Sequence, residues 1–514
     1  MTAAYPHSVA ALFREVAARR AGAAALLWSP DAAVSFTELD RLSDRAAWFL
    51  REQGVRKGDR VGIRLDKSTL AYALILGCLK SGAPYFVIDP ANPPARAARI
   101  VAKCAPAVVF SARESPIELP GVRVLLVDRE DPLAVLGTRS DRPFELEEDL
   151  AGTDPAYIMF TSGSTGFPKG AVMSHANLLN FIPWVRTAFE IGPDDVFTNV
   201  NPLYFDNSVF DVYGSLFNGA ALVPFDAATM KDPYRALQRI DELGCTLYFS
   251  VPSLLLYFQT LKILTPRAFQ RVRRIVFGGE GYPKPKLKEL FDCFSDRARL
   301  VNVYGPTECT CICSAYDVTA ADFATPGGYA PLGALIPNFT QVILDQDQRA
   351  TPRGEIGELC LGGPCVGLGY YDEPELSGRA FVQNPLNPRF HDRVYRTGDL
   401  VRVSPEDGKL HFVGRNDSQI KHQGYRVELG EIEHALGRVP GVDEAVALHS
   451  TRDGTSLILA IVGSKSAIAA DALRRQTAAL VPAYMVPARI TVLDELPKNA
   501  NGKVDRNLLK ERFC

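Results

Sequence analysis

Charge of either sign is not in excess in this chain. Its 57 Lys and Arg stand against 59 Asp and Glu among 514 residues, a formal net charge of −2. No basic field is left to attract nucleic acid or an anionic membrane, so neither is an expected partner. Long hydrophobic runs are missing as well. Stretches such as residues 70–79 are too short to span a bilayer. The opening Met1-Thr2-Ala3-Ala4-Tyr5-Pro6 lacks the charged and apolar regions of a secretory signal, and the expected location is cytoplasmic. Ten cysteines do not amount to a disulfide framework at this length. Cys309, Cys311 and Cys313 alternate, but alternate residues on a strand merely share a face, and no Cys-x-x-Cys pair or nearby His completes a zinc set. They read as small core or pocket-wall residues. Internal repeats, low-complexity tracts and coiled-coil heptads are absent too.

What remains is the composition of a globular protein, 47% hydrophobic and 23% charged. The chain is too long for one ordinary core and predicts two or more domains. Residues 37–50 carry apolar side chains at Leu39, Leu42, Ala46 and Leu50, a helical spacing with Gly54 placed as a stop. Residues 61–65 read as a strand, 68–80 as a helix and 85–88 as a strand. That is a βαβ unit, which implies a right-handed crossover and a largely parallel sheet. Strand signals recur at 108–110 and 124–127, and glycines with β-formers over 354–369 predict a β-rich subdomain. Beyond Gly414-Arg415-Asn416-Asp417, short strands (445–448, 457–462) and a helix (428–437) predict a small α+β domain.

The stretch Tyr157-Ile158-Met159-Phe160-Thr161-Ser162-Gly163-Ser164-Thr165-Gly166-Phe167-Pro168-Lys169-Gly170 carries the most chemistry. An apolar run reads as a buried strand, and the small hydroxyl residues and glycines after it as a tight loop. Backbone N–H groups and hydroxyls there suit a phosphate, with Lys169 adding charge. Taken generically, such a loop is either a plain turn or a phosphate cradle. It is not a Walker A loop. Counted from Gly163, that pattern needs Gly before the Lys and Ser or Thr after it, where Pro168 and Gly170 stand.

Five further segments follow in order: Tyr204-Phe205-Asp206-Asn207-Ser208; Asn302-Val303-Tyr304-Gly305-Pro306-Thr307-Glu308; Tyr395-Arg396-Thr397-Gly398-Asp399; Gly414 to Lys421 with Gly424-Tyr425-Arg426; and Pro497 to Asp505. Together with the loop they resemble the adenylate-forming superfamily of acyl-CoA synthetases, luciferases and the adenylation domains of carrier-protein systems. The resemblance spans nearly the whole chain. It implies an α/β fold with a large N-terminal core domain (1–415) of layered, mostly parallel sheets and a β-rich subdomain. A small mobile α+β domain (416–514) would follow, with Asp417 as its hinge. It also implies an AMP-forming ligase, which condenses a carboxylate with ATP, releases pyrophosphate and passes the acyl group from AMP to a thiol.

Each segment then takes an implied role. Thr161, Ser162, Gly163, Ser164, Thr165, Gly166 and Lys169 would hold the β- and γ-phosphates. Thr307 and Glu308 resemble the pair that meets the α-phosphate and Mg²⁺, a hard cation suited to oxygen ligands. Tyr304, flanked by Asn302 and Gly305, would stack on adenine, and Asp399 with Arg415 nearby would bind the ribose hydroxyls. Lys503 resembles the lysine that bridges substrate carboxylate and ribose. Bringing two anions together demands such charge neutralisation. Singly, Glu308 and Asp399 read as surface charges and Lys503 as a solvated lysine; it is their joint order that carries the resemblance.

Asp206 points to the substrate class. Superfamily members that activate α-amino acids place Asp here, facing the ammonium, and amine-free acids would leave that carboxylate unpaired. Asp is also a good helix N-cap, and both roles are compatible. The implied pocket wall comprises Asn207, Phe210, Phe249, Val276, Gly278, Val303, Cys311 and Ile312, whose bulk favours a small side chain. Residues 205–280 look especially like D-alanine–D-alanyl carrier protein ligases, except that Gly278 stands where those carry a bulkier cysteine. Alanine is the expected substrate, with its hand left open. No phosphopantetheine-serine motif follows Lys503, so the expected acceptor is a free-standing phosphopantetheinylated carrier protein, in a setting such as nonribosomal peptide or antibiotic synthesis. An acyl- or aryl-CoA ligase of the same superfamily, or a non-catalytic nucleotide-binding or carrier-docking module, are the alternatives.

Overall fold

A computed structural model describes residues 6–114, 117–137, 142–146, 149–163, 167–325, 327–451, 456–466, 468–498 and 504–514. Ser164, Thr165, Gly166 and Lys503, all named above for the site, lie outside the described residues. The chain forms two compact units. The first takes residues 1–90, 103–160 and 170–416, and the second residues 91–102, 161–169 and 417–514. Among the described residues, no helix is long and apolar enough to cross a membrane.

Two large sheets organise the first unit. In one, strands Val61–Arg64, Tyr85–Val87, Val108–Ala112, Val124–Val127 and Pro155–Thr161 run parallel, and Gly369–Tyr370 pairs antiparallel with Lys169–Ser174. The helix Thr69–Lys80 supplies the expected crossover between the first two strands. Ser68 caps it, its side chain accepting from Ala71 N. Every residue of this helix from 70 to 80 is buried, so it is apolar all round rather than amphipathic. The preceding helix, Phe36–Glu52, buries Leu39, Leu42, Ala46 and Leu50 on one stripe, and Gly54 follows it at φ 86°.

The second large sheet has nine strands. Its parallel centre comprises Ala24–Ser29, Ala221–Pro224, Val196–Asn199, Leu247–Ser250, Arg274–Gly278 and Arg299–Tyr304. Antiparallel strands close both edges. The β-rich subdomain is a five-stranded sheet built around the long strand Arg393–Val403. The second unit holds a hairpin, Gln419–His422 with Tyr425–Glu428, and a three-stranded sheet of Glu444–Ser450, Leu457–Gly463 and Arg489–Leu493. Helices Leu429–Gly437, Ala470–Ala478 and Arg506–Phe513 accompany them.

His175 opens the helix His175–Ala188 and is fully buried. Its Nδ1 accepts from Val9 N at 3.3 Å, and its Nε2 has no hydrogen-bond partner among the described residues. Burial lowers its pKa to about 4. The unfolded chain takes up a proton below about pH 6.5 that the native ring refuses. The stability contributed by the neutral ring is therefore complete above about pH 6.5 and declines as pH falls towards 4, by up to about 3 kcal/mol. Denaturant titrations across that window should show the loss, and His175→Asn should flatten it. An equally steep fall in the variant would assign the effect to other groups.

Candidate active site

The loop after the buried strand Pro155–Thr161 folds back sharply. A Cβ at Gly163 would stand 1.8 Å from the Phe167 carbonyl oxygen, so no side chain fits there. Thr161 Oγ1 is buried with no hydrogen-bond partner among the described residues, a donor suited to an anion. Ser162 is committed differently. Its hydroxyl donates to Arg426 O at 2.7 Å and accepts from Glu428 N at 3.1 Å, so a phosphate role requires those bonds to open. Lys169 is half-buried at the start of the next strand.

On the first unit, strand Arg299–Tyr304 delivers Tyr304 and then Gly305 into a short 3₁₀ turn, Thr307–Cys309. Such loops at the carboxyl ends of parallel strands are where α/β sheets place ligands. Tyr304 Oη donates to Asp399 Oδ2 at 2.6 Å, and Arg415 pairs with Asp399 Oδ1. Asp399 and Arg415 are direct cross-strand partners, which is why residues sixteen apart in sequence meet. Burial and the neighbouring carboxylate push the Tyr304 phenol well up, so it serves as a donor. A carboxylate has about four acceptor directions, so Asp399 retains capacity for ribose hydroxyls. Asn302 is buried, and its Nδ2 donates to Pro331 O at 2.8 Å.

Glu308 is fully buried and accepts at Oε1 from Tyr370 Oη at 2.7 Å. Among the described residues, no cluster of three or more His, Cys, Asp or Glu could enclose a metal. One hard carboxylate nevertheless fits Mg²⁺, which is bound by one or two carboxylates together with substrate phosphates. Tyr370 lies 62 residues from its partner, and nothing in the sequence marked it.

Asp206 occupies the N-cap position of helix Asn207–Leu216 but makes no capping bond with its side chain. Its Oδ2 instead accepts from Thr307 Oγ1 at 2.6 Å. The N-cap reading is therefore not realised. Phe210 lies on the same helix, 5.1 Å from the Phe249 ring in a T-shaped contact. The register aligns Phe249 with Val276 and Gly278 with Val303. Residues paired in register, or two apart on a strand, share a face, so these four line one side of the nine-stranded sheet. Asn207 starts the helix, and Cys311 and Ile312 are buried after the 3₁₀ turn. Thr310 and Cys311 have φ 61° and 78°, left-handed backbone that costs on the order of 1 kcal/mol or more for each such residue. The three alternating cysteines are free and buried.

Gly278 behaves differently from a simple open space. A Cβ there would lie 2.3 Å from Val303 O and 2.6 Å from Val303 Cγ2. The close approach of the two strands excludes any side chain at this backbone geometry, so a cysteine here would displace the pocket wall.

The comparisons with known proteins agree with this geometry. Residues 13–371 match the family described as AMP-binding enzyme, and residues 431–503 match the AMP-binding enzyme C-terminal domain. The chain is 34% identical over 514 residues to tyrocidine synthase 3 of Brevibacillus parabrevis, covering 97% of this chain and 8% of that protein. It spans between 6% and 38% of the length of the peptide synthases it matches. It is 35% identical over 530 residues to L-proline--[L-prolyl-carrier protein] ligase of Streptomyces coelicolor, covering 98% of this chain and 96% of that one. Among solved structures, holo-PA1221, an NRPS protein containing adenylation and PCP domains bound to a vinylsulfonamide inhibitor, is similar at a TM-score of 0.83. The identity is 27%, over 99% of this chain and 85% of that one. By sequence, fold and site together, the chain belongs to the AMP-binding enzyme family, the adenylate-forming superfamily.

Proposed function

We propose that this chain activates a small α-amino acid, alanine of either hand, as aminoacyl-AMP with release of pyrophosphate. It then passes the aminoacyl group to the phosphopantetheine thiol of a carrier protein. The observation that carries this reading is the placement of Asp206, whose carboxylate is bonded to Thr307 at the edge of a wall made by Phe210, Phe249, Val276 and Val303. An ammonium held by Asp206 leaves the substrate carboxylate near Thr307, the residue expected to meet the α-phosphate. That carboxylate attacks the α-phosphorus, and pyrophosphate departs. Tyr304, Asp399 and Arg415 hold the nucleoside, while Thr161 and Lys169 serve the departing phosphates. Mg²⁺ arriving with the nucleotide would be held by Glu308 and would neutralise phosphate charge. The similarity to the proline–carrier protein ligase supports an amino acid as substrate and a carrier as acceptor.

An ATP–pyrophosphate exchange panel over both enantiomers of the small amino acids tests the reading. Exchange should appear with alanine and not with simple carboxylic acids; the reverse pattern would favour an acyl-CoA ligase. The aromatic wall supplies a second test. Phe249 is 2% exposed, and Phe249→Ala should admit valine or leucine while lowering stability by about 3–5 kcal/mol. One methylene is worth about 1–3 kcal/mol of discrimination, so activity on alanine need not be lost. Continued refusal of the larger residues by a folded variant would remove Phe249 from the wall.

A further inference from the structure

A buried polar cluster beside the pocket wall is used by no step above. Asp211 follows Phe210 on the helix Asn207–Leu216 and is fully buried. Its Oδ2 accepts from Asn199 Nδ2 at 2.8 Å and from Asn201 Nδ2 at 3.0 Å. Its Oδ1 has no hydrogen-bond partner among the described residues. The Asn201 amide also donates to the Phe249 carbonyl at 3.0 Å. Asn199 is held in turn: Tyr72 Oη donates to its Oδ1 at 2.6 Å, and Lys67 Nζ donates to its carbonyl and, at 2.9 Å, to that of Phe225. Lys67 and Tyr72 come from the strand–helix segment of the seven-stranded sheet, whereas Asn199, Phe225 and Phe249 belong to or follow strands of the nine-stranded one.

Burial raises the Asp211 carboxyl and lowers the Lys67 ammonium; the two asparagines and the Lys67 charge oppose the rise at Asp211. A carboxylate with one orphan oxygen in such a place is a poor device for stability, since apolar residues of similar volume pack there at less cost. What the cluster does accomplish is geometric. Its bonds end on the main chain of Phe249 and on the helix that carries Asp206, Asn207 and Phe210, the pieces that shape the pocket.

We propose that Asp211 is a positioning residue which, through Asn201 and Asn199, holds Phe210 and Phe249 at their separation and so sets the largest amino-acid side chain the pocket admits. The proposal rests on the amino-acid reading of the pocket given above. Three variants test it in pyrophosphate exchange, with circular dichroism as the check on folding. Asp211→Leu removes both acceptors at similar volume. Asn201→Ala cuts the tie to Phe249 while leaving Asp211 bonded to Asn199. Asp211→Asn keeps one oxygen able to accept from both amides. The ratio of kcat/KM for alanine over valine should fall by on the order of tenfold in the first two variants and stay within about twofold in the third. The KM for ATP should move by less than about twofold throughout, a split that general loosening of the fold would not produce. An unchanged ratio in either folded variant, or parallel rises in both KM values, would overturn the proposal. If Asp211→Leu does not fold, the ratio in Asn201→Ala decides. Absence of exchange with any amino acid in the unaltered enzyme is a different result, which overturns the amino-acid reading itself and this proposal with it.

Discussion

Asp206→Ala is expected to raise the KM for the amino acid far more than that for ATP in pyrophosphate exchange. Leaving a buried ammonium without its partner costs on the order of 3–5 kcal/mol. Asp206 is half-buried, which places the effect at the lower end, on the order of 10²-fold. The bond from Thr307 adds a second consequence. Without its acceptor the Thr307 hydroxyl is free to turn, so the KM for ATP should shift by about a few-fold and no more. Asp206→Asn separates the two roles, because an amide oxygen still accepts from Thr307 but carries no charge for the ammonium. It should reproduce the loss for the amino acid and restore the value for ATP. Equal weakening of both substrates in both variants would assign Asp206 a purely structural role.

The second large effect concerns the division of the two half-reactions. Lys503→Ala should reduce aminoacyl-adenylate formation by on the order of 10²–10³-fold, the scale on which removing one donor to developing charge acts. It should still allow transfer from supplied aminoacyl-AMP to a carrier thiol. Asp417→Pro should do the reverse. Asp417 is exposed, its Oδ1 accepts from Gln419 N at 3.1 Å, and the change from one compact unit to the other falls between Asn416 and Asp417. A hinge concentrates a large φ/ψ change in a few such residues, and proline holds φ near −65°. Adenylation should persist in Asp417→Pro while transfer fails. Single-turnover assays of each step decide the matter. If both variants lose both half-reactions in proportion, Asp417 is a linker residue and Lys503 a general binding contact.

Much of the architecture was legible in the sequence because local pattern and tertiary environment agree. The βαβ unit over residues 61–88 appears with boundaries shifted by about one residue, since short apolar strands and a capped helix leave little choice. The strand before the glycine-rich loop and the helix at Leu429–Gly437 were equally plain. The wall residues Phe210, Phe249, Val276 and Val303 are buried together, because register in a parallel sheet carries residues from separate strands onto one face.

By itself, then, the sequence determined the family, the order of elements and the identity of the polar groups spread over six segments, all of which follow from residue types at fixed spacing along one chain. Only the tertiary structure decided how those groups are spent. It turned Asp206 from a helix cap into an acceptor for Thr307, and bonded Ser162 to the backbone at Arg426 and Glu428. It set Tyr370 on Glu308 and closed the space at Gly278 against Val303. It also joined Lys67, Tyr72, Asn199, Asn201 and Asp211 into one cluster. Hydrogen bonds between residues far apart in sequence depend on where the sheets bring them, and no local pattern records that.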